Sequence, residues 1–516
     1  MTLGLNLKID ISEEFAQIAD LEAKLSARNS RLREPVRVIL TSSETMDYMI
    51  EDGGIHCKGE ATDVNGDLDK VSHICCFGAS DAGVLSMAVM AQHHPETMFK
   101  IVDMDRDLIK RWEGGEILSY EPEFEELVGT VRGRNLFFCE EMDAVINEAA
   151  IVFVAVDVPI SAEGRLDLSY WDDGIQKIIE ASTTRKIIVE KSMPFNLHNW
   201  TEDIILHQNP RGLRFSVFSN PDFISQETAV QDLRDPKRVV IARNHGHGED
   251  LLRLHQLYSR YVPVERILVV DDHKSGELGK IWISGYLAFI HTFRNVIPSI
   301  CDALGADSNE VQRIVGCPDS ANYMDASIGF GGPVIQDISY LKFVLHRSGF
   351  KLEAELINQI IKLNEEKKEK FVMLMLKKMI SLTGKTIAVF GFSYKKDTDD
   401  IRNSPAIYIC KALLKEGSKV RIFDPRVNEN KIRNCFPKSS RSKLCVCTAK
   451  PEAWSKADAV VFLVNWDEFQ QIDFEAMYRQ MKGWPPFMFV GCESGLDCNR
   501  IKALGFELYV AGRRFE

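Results

Sequence analysis

Residues 74–83 read Ile-Cys-Cys-Phe-Gly-Ala-Ser-Asp-Ala-Gly, and this segment is the strongest indication of the fold. Four apolar residues predict a buried strand, the glycines predict a tight turn, and an apolar helix is expected to begin at Val84. The next predicted strand, Ile101-Val102, ends on Asp103, about 20 positions after the last glycine. A strand, a glycine turn, a helix and an acidic residue at this spacing form the frame of a dinucleotide-binding βαβ unit.

The middle of this frame departs from the usual pattern. We expect Gly78 to form the turn, Gly83 to let the helix pack on the strand, and Asp103 to accept from ribose hydroxyls. The middle glycine is Ser80, however, and Asp81 adds a negative charge where the helix N-terminus would face the pyrophosphate. Two interpretations stay open: an altered, weakened NAD site, or a βαβ unit that keeps its turn but binds no nucleotide.

Alternating patterns continue along the chain. Further strands are predicted at 151–156, 187–189, 215–219 and 239–241, and a second α/β unit has strands at 386–390, 419–423, 459–464 and 487–490. Helical patterns lie between most of them, which predicts an α/β fold with two doubly wound Rossmann-like domains. A helix over Ser275–Leu304 is apolar on several sides and should be a buried central helix, followed by a helical region at 339–380.

We expect four regions: 1–70, 71–274, 275–380 and 381–516. The first is a partly flexible N-terminal extension. Phe15, Ile18, Leu21 and Leu25 predict a short amphipathic helix in it. Residues 51–69 are rich in glycine and aspartate and predict a loop or linker.

Composition excludes some classes of partner. The 516 residues include 63 basic and 75 acidic side chains, a net charge of -12, which argues against binding nucleic acid or an anionic membrane. No signal peptide and no membrane span is recognisable, so we expect a cytoplasmic protein with reduced thiols. The 12 cysteines include no C-x-x-C pair, and Cys445-Val446-Cys447 alone is weak as a metal site, so no metal is expected.

Longer blocks of sequence carry a more specific resemblance. They lie at 120–122, 190–192, 219–223, 231–239, 326–332, 391–406 and 465–469. In this order they resemble UDP-glucose 6-dehydrogenase, most of all the animal-type enzymes, over roughly residues 72–515. The resemblance implies an NAD-binding Rossmann domain at 71–274, a central helical dimerisation region at 275–380 and a UDP-sugar-binding domain at 381–516. It also implies oxidation of UDP-glucose at carbon 6 to UDP-glucuronate, with two hydrides passed to NAD and a cysteine thioester as intermediate.

The nucleophile of that reaction is missing. The family's loop reads Phe-Gly-Gly-Ser-Cys-Phe-x-Lys-Asp, whereas residues 330–337 read Phe-Gly-Gly-Pro-Val-Ile-Gln-Asp. Val334 therefore takes the cysteine position and Asp337 the family's aspartate, in a loop that is one residue shorter. An isopropyl group cannot attack a carbonyl, and Cys317 is the nearest cysteine that could replace it.

Other departures accumulate around the site. The hydroxyls are lost at 157–160, the threonine at 191–194, and the family's glutamate pair becomes Asp222 and Gln226. Ser284 replaces an asparagine, no arginine lies between 316 and 324 for a neighbouring subunit, and 489–492 lacks the family's closing aspartate and arginine.

Part of the site is kept. The resemblance assigns catalytic positions to Lys280, Asp337 and Asp222, although Lys280 alone on an apolar helix could simply reach solvent. It assigns UDP-sugar contacts to Phe330, Gly331, Gly332, Lys395 and Arg402. The alternative, that residues 394–404 are a solvated charged loop without a binding role, is disfavoured by the length of their match to the family.

Three functions follow from this pattern. The first is a catalytically inactive or impaired homologue that binds UDP-sugar, as a homo-oligomer or in a hetero-oligomer with an active paralogue. The second is a dehydrogenase that performs one two-electron oxidation with NAD and stops at the aldehyde, using Lys280, Asp337 and a water. The third is full UDP-glucose oxidation through a displaced nucleophile.

Overall fold

A computed structural model describes residues 36–40, 44–51, 54–57, 71–161, 164–192, 194–244, 248–315, 328–483, 485–492 and 495–511. The chain divides into two compact units, residues 1–68 and 69–516. The helix predicted around Phe15–Leu25 lies outside the described residues.

The first unit contains a three-stranded antiparallel sheet. Its strands are β1 (Val36–Leu40), β2 (Glu44–Glu51) and β3 (Gly54–Cys57). The prediction of a loop over 51–69 is therefore wrong at its beginning, because Glu51 ends β2 and pairs with Gly54 of β3. The overlooked signal is the Asp-Gly pair at 52–53, the composition of a two-residue hairpin connection.

The second unit contains the remaining strands. They are β4 (His73–Phe77), β5 (Met98–Val102), β6 (Leu136–Phe138), β7 (Ile151–Val154), β8 (Lys186–Glu190), β9 (Phe215–Ser219), β10 (Val239–Ala242), β11 (Ile267–Val270), β12 (Thr386–Phe390), β13 (Lys419–Phe423), β14 (Leu444–Val446), β15 (Ala459–Phe462), β16 (Phe487–Val490) and β17 (Glu507–Val510).

Its helices cover both faces of the sheets and the space between them. They are α1 (Asp81–His93), α2 (Arg106–Glu113), α3 (Phe124–Val131), α4 (Met142–Glu148), α5 (Ser169–Ala181), α6 (Leu197–Gln208), α7 (Ala229–Arg234), α8 (Gly248–Ser259), α9 (His273–Leu304), α10 (Ser308–Val315), α11 (Pro333–Arg347), α12 (Lys351–Met379), α13 (Pro405–Lys415), α14 (Glu429–Asn434), α15 (Lys450–Trp454), α16 (Phe474–Gln480) and α17 (Cys498–Ala503).

The first large sheet has eight strands in the order β11-β10-β9-β8-β7-β4-β5-β6. Its strands run parallel except where β9 meets β10. The central strands are continuous apolar runs because helices cover both faces. The order reverses between β4 and β7, which opens a crevice at the carboxyl ends of these strands.

The second large sheet repeats this arrangement. Its six parallel strands have the order β14-β13-β12-β15-β16-β17, so the reversal lies between β12 and β15. Apolar clusters pack on both faces. The prediction of two doubly wound Rossmann-like domains is confirmed.

Between the sheets lies the helix predicted at Ser275–Leu304, observed as the 32-residue α9. Asp272 caps its N-terminus by accepting from two backbone amides, and Gly305, with φ of +76°, ends it in the left-handed conformation. Helices α11 and α12 pack beside it in an apolar cluster that includes Ile281, Phe330 and Ile338. This central layer joins the two sheets and carries the candidate site.

Among the residues that the structure describes, no helix is long and apolar enough to cross a membrane. No disulfide joins the described cysteines. The expected cytoplasmic location and the domain boundaries stay predictions.

Candidate active site

The glycine turn after β4 has the predicted shape. Gly78 has φ of +108°, and a Cβ there would lie 2.5 Å from the carbonyl oxygen of Ala155. Ser80 caps α1: its Oγ accepts from the amide of Gly83 at 3.3 Å and donates to the Ala155 carbonyl at 2.8 Å. The serine hydroxyl is thus engaged within the protein, at the position where a glycine would expose backbone to a pyrophosphate.

Asp103 lies buried beside this turn. Its carboxylate accepts from the amide of Ala79 at 2.8 Å, from the amide of Asp105 at 2.9 Å and from the hydroxyl of Tyr170. The ribose acceptor predicted from sequence is therefore shared with a tyrosine on α5, 67 residues away, which sequence reasoning did not identify.

Negative charge collects at the N-terminus of α1. Desolvation by the surrounding protein raises the pKa of Asp81, although its side chain keeps some exposure to solvent. The hydroxyl of Ser119 and the ammonium of Lys431 lower this pKa, whereas the carboxylates of Asp157 and Asp399 raise it. A dinucleotide places its pyrophosphate at this end of the helix, where the helix dipole favours anions. The backbone frame fits a dinucleotide, and Lys431, which pairs with Asp399, offsets part of the negative charge at this end of the helix.

The predicted catalytic residues of α9 and α11 come together. Ser284 Oγ donates to Asp337 Oδ2 at 2.6 Å, so the shortened loop leaves Asp337 within the site. Burial lowers the pKa of Lys280, while Asp337 and Asp222 act in the opposite direction. Burial also raises the pKa of Asp337, and Ser284 and Lys280 partly offset this rise. Lys280 and Asp337 are therefore near enough to affect each other's pKa, and Ser284 is bonded to Asp337.

Asp222 has a partner that sequence reasoning did not assign to the site. Lys191 forms a buried ion pair with Asp222 and donates to Asn220 Oδ1 at 3.0 Å. Ser86 of α1 donates to the other oxygen of Asp222 at 3.2 Å. Lys191 could have been identified as a site residue from the Glu-Lys-Ser block at 190–192, because that block is part of the resemblance. Asp222 is thus an anchored, charge-compensated carboxylate.

The nucleophile position is apolar in its surroundings as well. Val334 lies in the first turn of α11, directly after Pro333, and packs against the cluster that contains Ile281 and Phe330. Phe330 is 2% exposed, and Asn364 holds its backbone through bonds of 2.8 and 3.0 Å. Val334 thus adds an apolar side chain to this wall of the candidate site.

The glycines after Phe330 contact protein closely. A Cβ on Gly331 would lie 2.5 Å from the carbonyl oxygen of Asn403, and one on Gly332 would lie 2.7 Å from the ring of Tyr394. The amide of Gly332 donates to the Arg402 carbonyl at 2.7 Å. Gly331 and Gly332 therefore allow the chain before α11 to pack against residues 394–403, which belong to the loop that follows β12.

The two predicted UDP-sugar cations are paired with protein groups. Lys395 donates to the carbonyl of Gln226, to Ser225 Oγ at 3.2 Å, and lies 3.3 Å from Glu227 Oε2. Arg402 forms an ion pair with Asp400 at 2.7 Å while its side chain stays 52% exposed.

Gln226 connects the two large domains. Its amide donates to Asp400 Oδ2 at 3.0 Å and accepts from Thr398 Oγ1 at 3.1 Å. A second contact lies nearby, where the amide of Tyr120 donates to Asp399 at 3.3 Å. The site is therefore bounded by side chains that bind the two domains to each other. The roles of the individual site residues stay predictions.

Comparison with known proteins follows the same division of the chain. The family models of the UDP-glucose/GDP-mannose dehydrogenase family match with the NAD binding domain at 72–262, the central domain at 274–366 and the UDP binding domain at 388–492.

Relatives match over most of the chain. UDP-glucose 6-dehydrogenase 1 of Oryza sativa subsp. japonica is 35% identical over 469 residues, covering 85% of this chain and 97% of the relative. UDP-glucose 6-dehydrogenase 1 of Arabidopsis thaliana is 33% identical over 469 residues, with the same coverage. Both are plant enzymes, so the animal-type likeness stays a prediction.

Solved structures share the fold. A UDP-glucose dehydrogenase from Pyrobaculum islandicum superposes with a TM-score of 0.74 at 22% identity, covering 87% of this chain and 99% of that one. A UDP-D-ManNAc dehydrogenase from Pyrococcus horikoshii gives 0.70 at 19% identity, covering 86% and 99%.

Proposed function

This chain belongs to the UDP-glucose/GDP-mannose dehydrogenase family, and from that premise we propose that it is a catalytically inactive or impaired member that binds UDP-sugar. It acts as a binding or regulatory subunit, in a homo-oligomer or beside an active paralogue.

The observation that carries the proposal is the environment of Val334. Conversion of the aldehyde to the acid in this family passes through a thioester, which needs a thiolate at this position. Val334 instead belongs to an apolar cluster at the start of α11, so the side chain serves packing. Asp337 lies one helical turn further on and accepts a hydrogen bond from Ser284. The site therefore keeps polar side chains but has no group that could form the thioester.

The cofactor side supports the same proposal. The carboxylates near the N-terminus of α1 oppose a diphosphate, and Asp103 already accepts from Tyr170. We therefore infer weak NAD binding. The UDP binding domain match supports retention of UDP-sugar, whose phosphates would compete with Asp400 for the exposed guanidinium of Arg402.

A second candidate function is a single oxidation that ends at the aldehyde. It is favoured by the cluster of Lys280, Ser284 and Asp337, in which burial lowers the pKa of the amine and so suits it to accept the proton of an alcohol. This reaction needs no thiolate, but it requires NAD as hydride acceptor.

Product stoichiometry separates these functions. The folded chain is incubated with saturating NAD and UDP-glucose, and NADH is measured together with the sugar product. We expect no NADH. One NADH for each aldehyde would establish the single oxidation, and two NADH for each UDP-glucuronate would overturn the proposal.

Thermal unfolding tests the ligands separately, because a ligand that binds only the folded state raises the midpoint. We expect UDP-glucose to raise the melting temperature and NAD to leave it unchanged. A clear shift with NAD alone would contradict the inferred weakness of the cofactor site.

A further inference from the structure

Two cysteines and a glutamate converge at the edge of the second large sheet, away from the candidate active site. Cys445 lies on the edge strand β14, Cys447 directly follows that strand, and Glu452 lies on α15. One ligand atom of each, two Sγ and one carboxylate oxygen, lie within 4.8 Å of one another. Cys445 and Glu452 are exposed, whereas Cys447 is buried, so solvent can reach the group from one side.

The backbone explains why these side chains meet. Residues 445 and 447 are two apart on extended chain, so both side chains point to the same face of the sheet. The amide of Cys447 continues the ladder by donating to the Ile422 carbonyl at 2.7 Å. The chain then turns into α15, where the amide of Thr448 donates to Glu452 Oε2 at 3.1 Å and orients the carboxylate. A strand, a turn and a helix thereby present three ligands within eight residues of sequence.

The spacing allows coordination by a metal ion. Thiolate and carboxylate ligands lie about 2.0–2.3 Å from Zn²⁺, so ligand atoms in a tetrahedral site are roughly 3.5 Å apart. Closing from at most 4.8 Å requires rotation of side chains, and two of the three are exposed and can move. Solvent would supply the fourth ligand.

The surrounding charge also suits a dication. Arg421 of β13 pairs in register with Cys445 and donates to the carbonyl oxygens of Glu452 at 3.2 Å and Ser455 at 2.5 Å. Two thiolates, one carboxylate, one guanidinium and a doubly charged ion sum to zero net charge. The guanidinium also fixes the helix that carries the carboxylate, which is the orienting role of groups around a metal centre.

We propose that Cys445, Cys447 and Glu452 form a binding site for one soft divalent cation, with Zn²⁺ the ion best suited to two thiolates and a carboxylate. The cation fastens α15 to the sheet edge. Trp454 of α15 stacks on Phe390 at 6.1 Å, and Phe390 directly precedes the loop that carries Lys395 and Arg402. From this position the cation would support the loop without contacting it.

The test uses the reduced, metal-free full chain, titrated under anaerobic conditions with Co²⁺ as a spectroscopic probe. We expect one equivalent to produce the thiolate-to-cobalt charge-transfer absorption and the visible bands of tetrahedral cobalt, and Zn²⁺ to abolish both. Zn²⁺ should also raise the melting temperature, since it binds the folded site.

Two variants locate the site. Cys445→Ser should abolish the charge-transfer band, and Glu452→Gln should weaken binding by more than about tenfold, since the loss of even an orienting group costs that much. Both residues are exposed, so folding should persist. The matched control is Cys435→Ser, at a partly exposed cysteine whose Sγ donates to the Lys431 carbonyl, and it should keep the band.

Several results would overturn the proposal. One is the absence of a thiolate-to-cobalt band in the wild-type chain. A second is a band that survives Cys445→Ser. A third is a disulfide between Cys445 and Cys447 that forms as fast on exposure of the reduced chain to air with Zn²⁺ present as it does without Zn²⁺.

Discussion

At the scale of single residues, Val334 and Asp337 lie one helical turn apart on α11 but have different surroundings. They are three positions apart on α11 and so lie on neighbouring parts of one face. Asp337 keeps a polar partner in Ser284, whose hydroxyl donates where the family has an asparagine amide. Val334 packs against hydrocarbon. This chain therefore keeps polar side chains of the predicted site without a nucleophile beside them.

Restoring the thiol alone should not restore the reaction. In Val334→Cys we expect UDP-glucuronate formation to stay at the wild-type background, because the new sulfur enters an apolar cluster and the cofactor end remains acidic. The measurement is NADH and UDP-glucuronate at saturating substrates, with Val334→Ala as the control for altered packing. Recovery of two NADH for each UDP-glucuronate would show that the other substitutions around the site are harmless.

At the scale of elements, the two large domains use the same local device. In each, a glycine of positive φ follows the first strand, and an aspartate ending the second strand accepts from the amides behind it. Asp103 accepts from Ala79, and Asp424 accepts from Phe392 at 2.6 Å and Ser393 at 3.1 Å. The turn must lie at the reversal of strand order, so both crevices have the same construction.

The loops after β9 and β12 meet through Gln226, and its neutrality should matter. Gln226→Glu would place a carboxylate next to Asp400, which accepts the present amide at 3.0 Å. We expect unfolding free energy to fall by about 1–3 kcal/mol, since the bond is replaced by repulsion between partly buried charges. Urea unfolding at neutral pH measures the change.

The matched control for this prediction is Gln176→Glu. Gln176 also donates to a carboxylate, Glu180 Oε1 at 3.1 Å, but both residues are exposed on α5. Its effect should stay below about 0.5 kcal/mol because solvent screens exposed charges. Equal losses of unfolding free energy in the two variants would contradict a special role for Gln226.

At the scale of the whole molecule, a buried polar network connects the first sheet to α9. Glu190 accepts from Thr201 at 2.6 Å and Ser219 at 3.0 Å, and it pairs with His198 at 3.2 Å. Burial opposes a charged His198, but hydrogen bonds from this ring to Glu190 and Glu202 outweigh it and raise its pKa to about 10. Glu277 of α9 accepts from the amide of His198 at 3.0 Å, so charged side chains help to join the central helix to the first sheet.

This network makes stability dependent on pH. The His198 contribution is fully present below its ordinary pKa of 6.5 and is lost as pH rises toward about 10. Burial also raises the pKa of Glu277 to about 7, so its ionisation lowers stability as pH rises from 4.5 to about 7, before most of the loss that comes from His198. We expect unfolding free energy to decrease between pH 6.5 and pH 9 by a few kcal/mol, and His198→Gln to flatten that decrease.

The control is His207→Gln, at an exposed histidine, and it should leave the dependence of unfolding free energy on pH unchanged. An unaltered pH dependence in His198→Gln would contradict the assignment of the decrease to His198.

One face of α9 predicts association. Large apolar side chains recur along it at helical spacing and are exposed within the described chain: Trp282, Tyr286, Phe289, Phe293, Ile300 and Leu304. A stripe of this length marks a contact surface for another helix, in keeping with the dimerisation region expected at 275–380.

Charge on this face should separate the subunits. We expect wild-type chain to be at least a dimer by light scattering, and Phe289→Glu with Phe293→Glu to give monomers. Leu206→Glu, at an isolated exposed leucine on α6, should leave the mass unchanged. A monomeric wild type would direct attention to a hetero-oligomer with an active paralogue.

Local patterns along the chain were sufficient to predict the central strands, the glycine turns and the long helix, because each depends on neighbours a few residues away. Seven strands were missed. Three of them, β1, β2 and β3, form the small sheet, and β6, β11, β14 and β17 are the edges of the two large sheets, where pairing on one side leaves a weaker apolar pattern. The partner of each polar side chain, by contrast, depends on how the folded chain packs. Tyr170 reaches Asp103 across 67 residues, and Gln226 reaches Asp400 across 174. Such pairs leave no periodic signal in the sequence, because packing of distant elements and the need to satisfy buried polar groups bring them together.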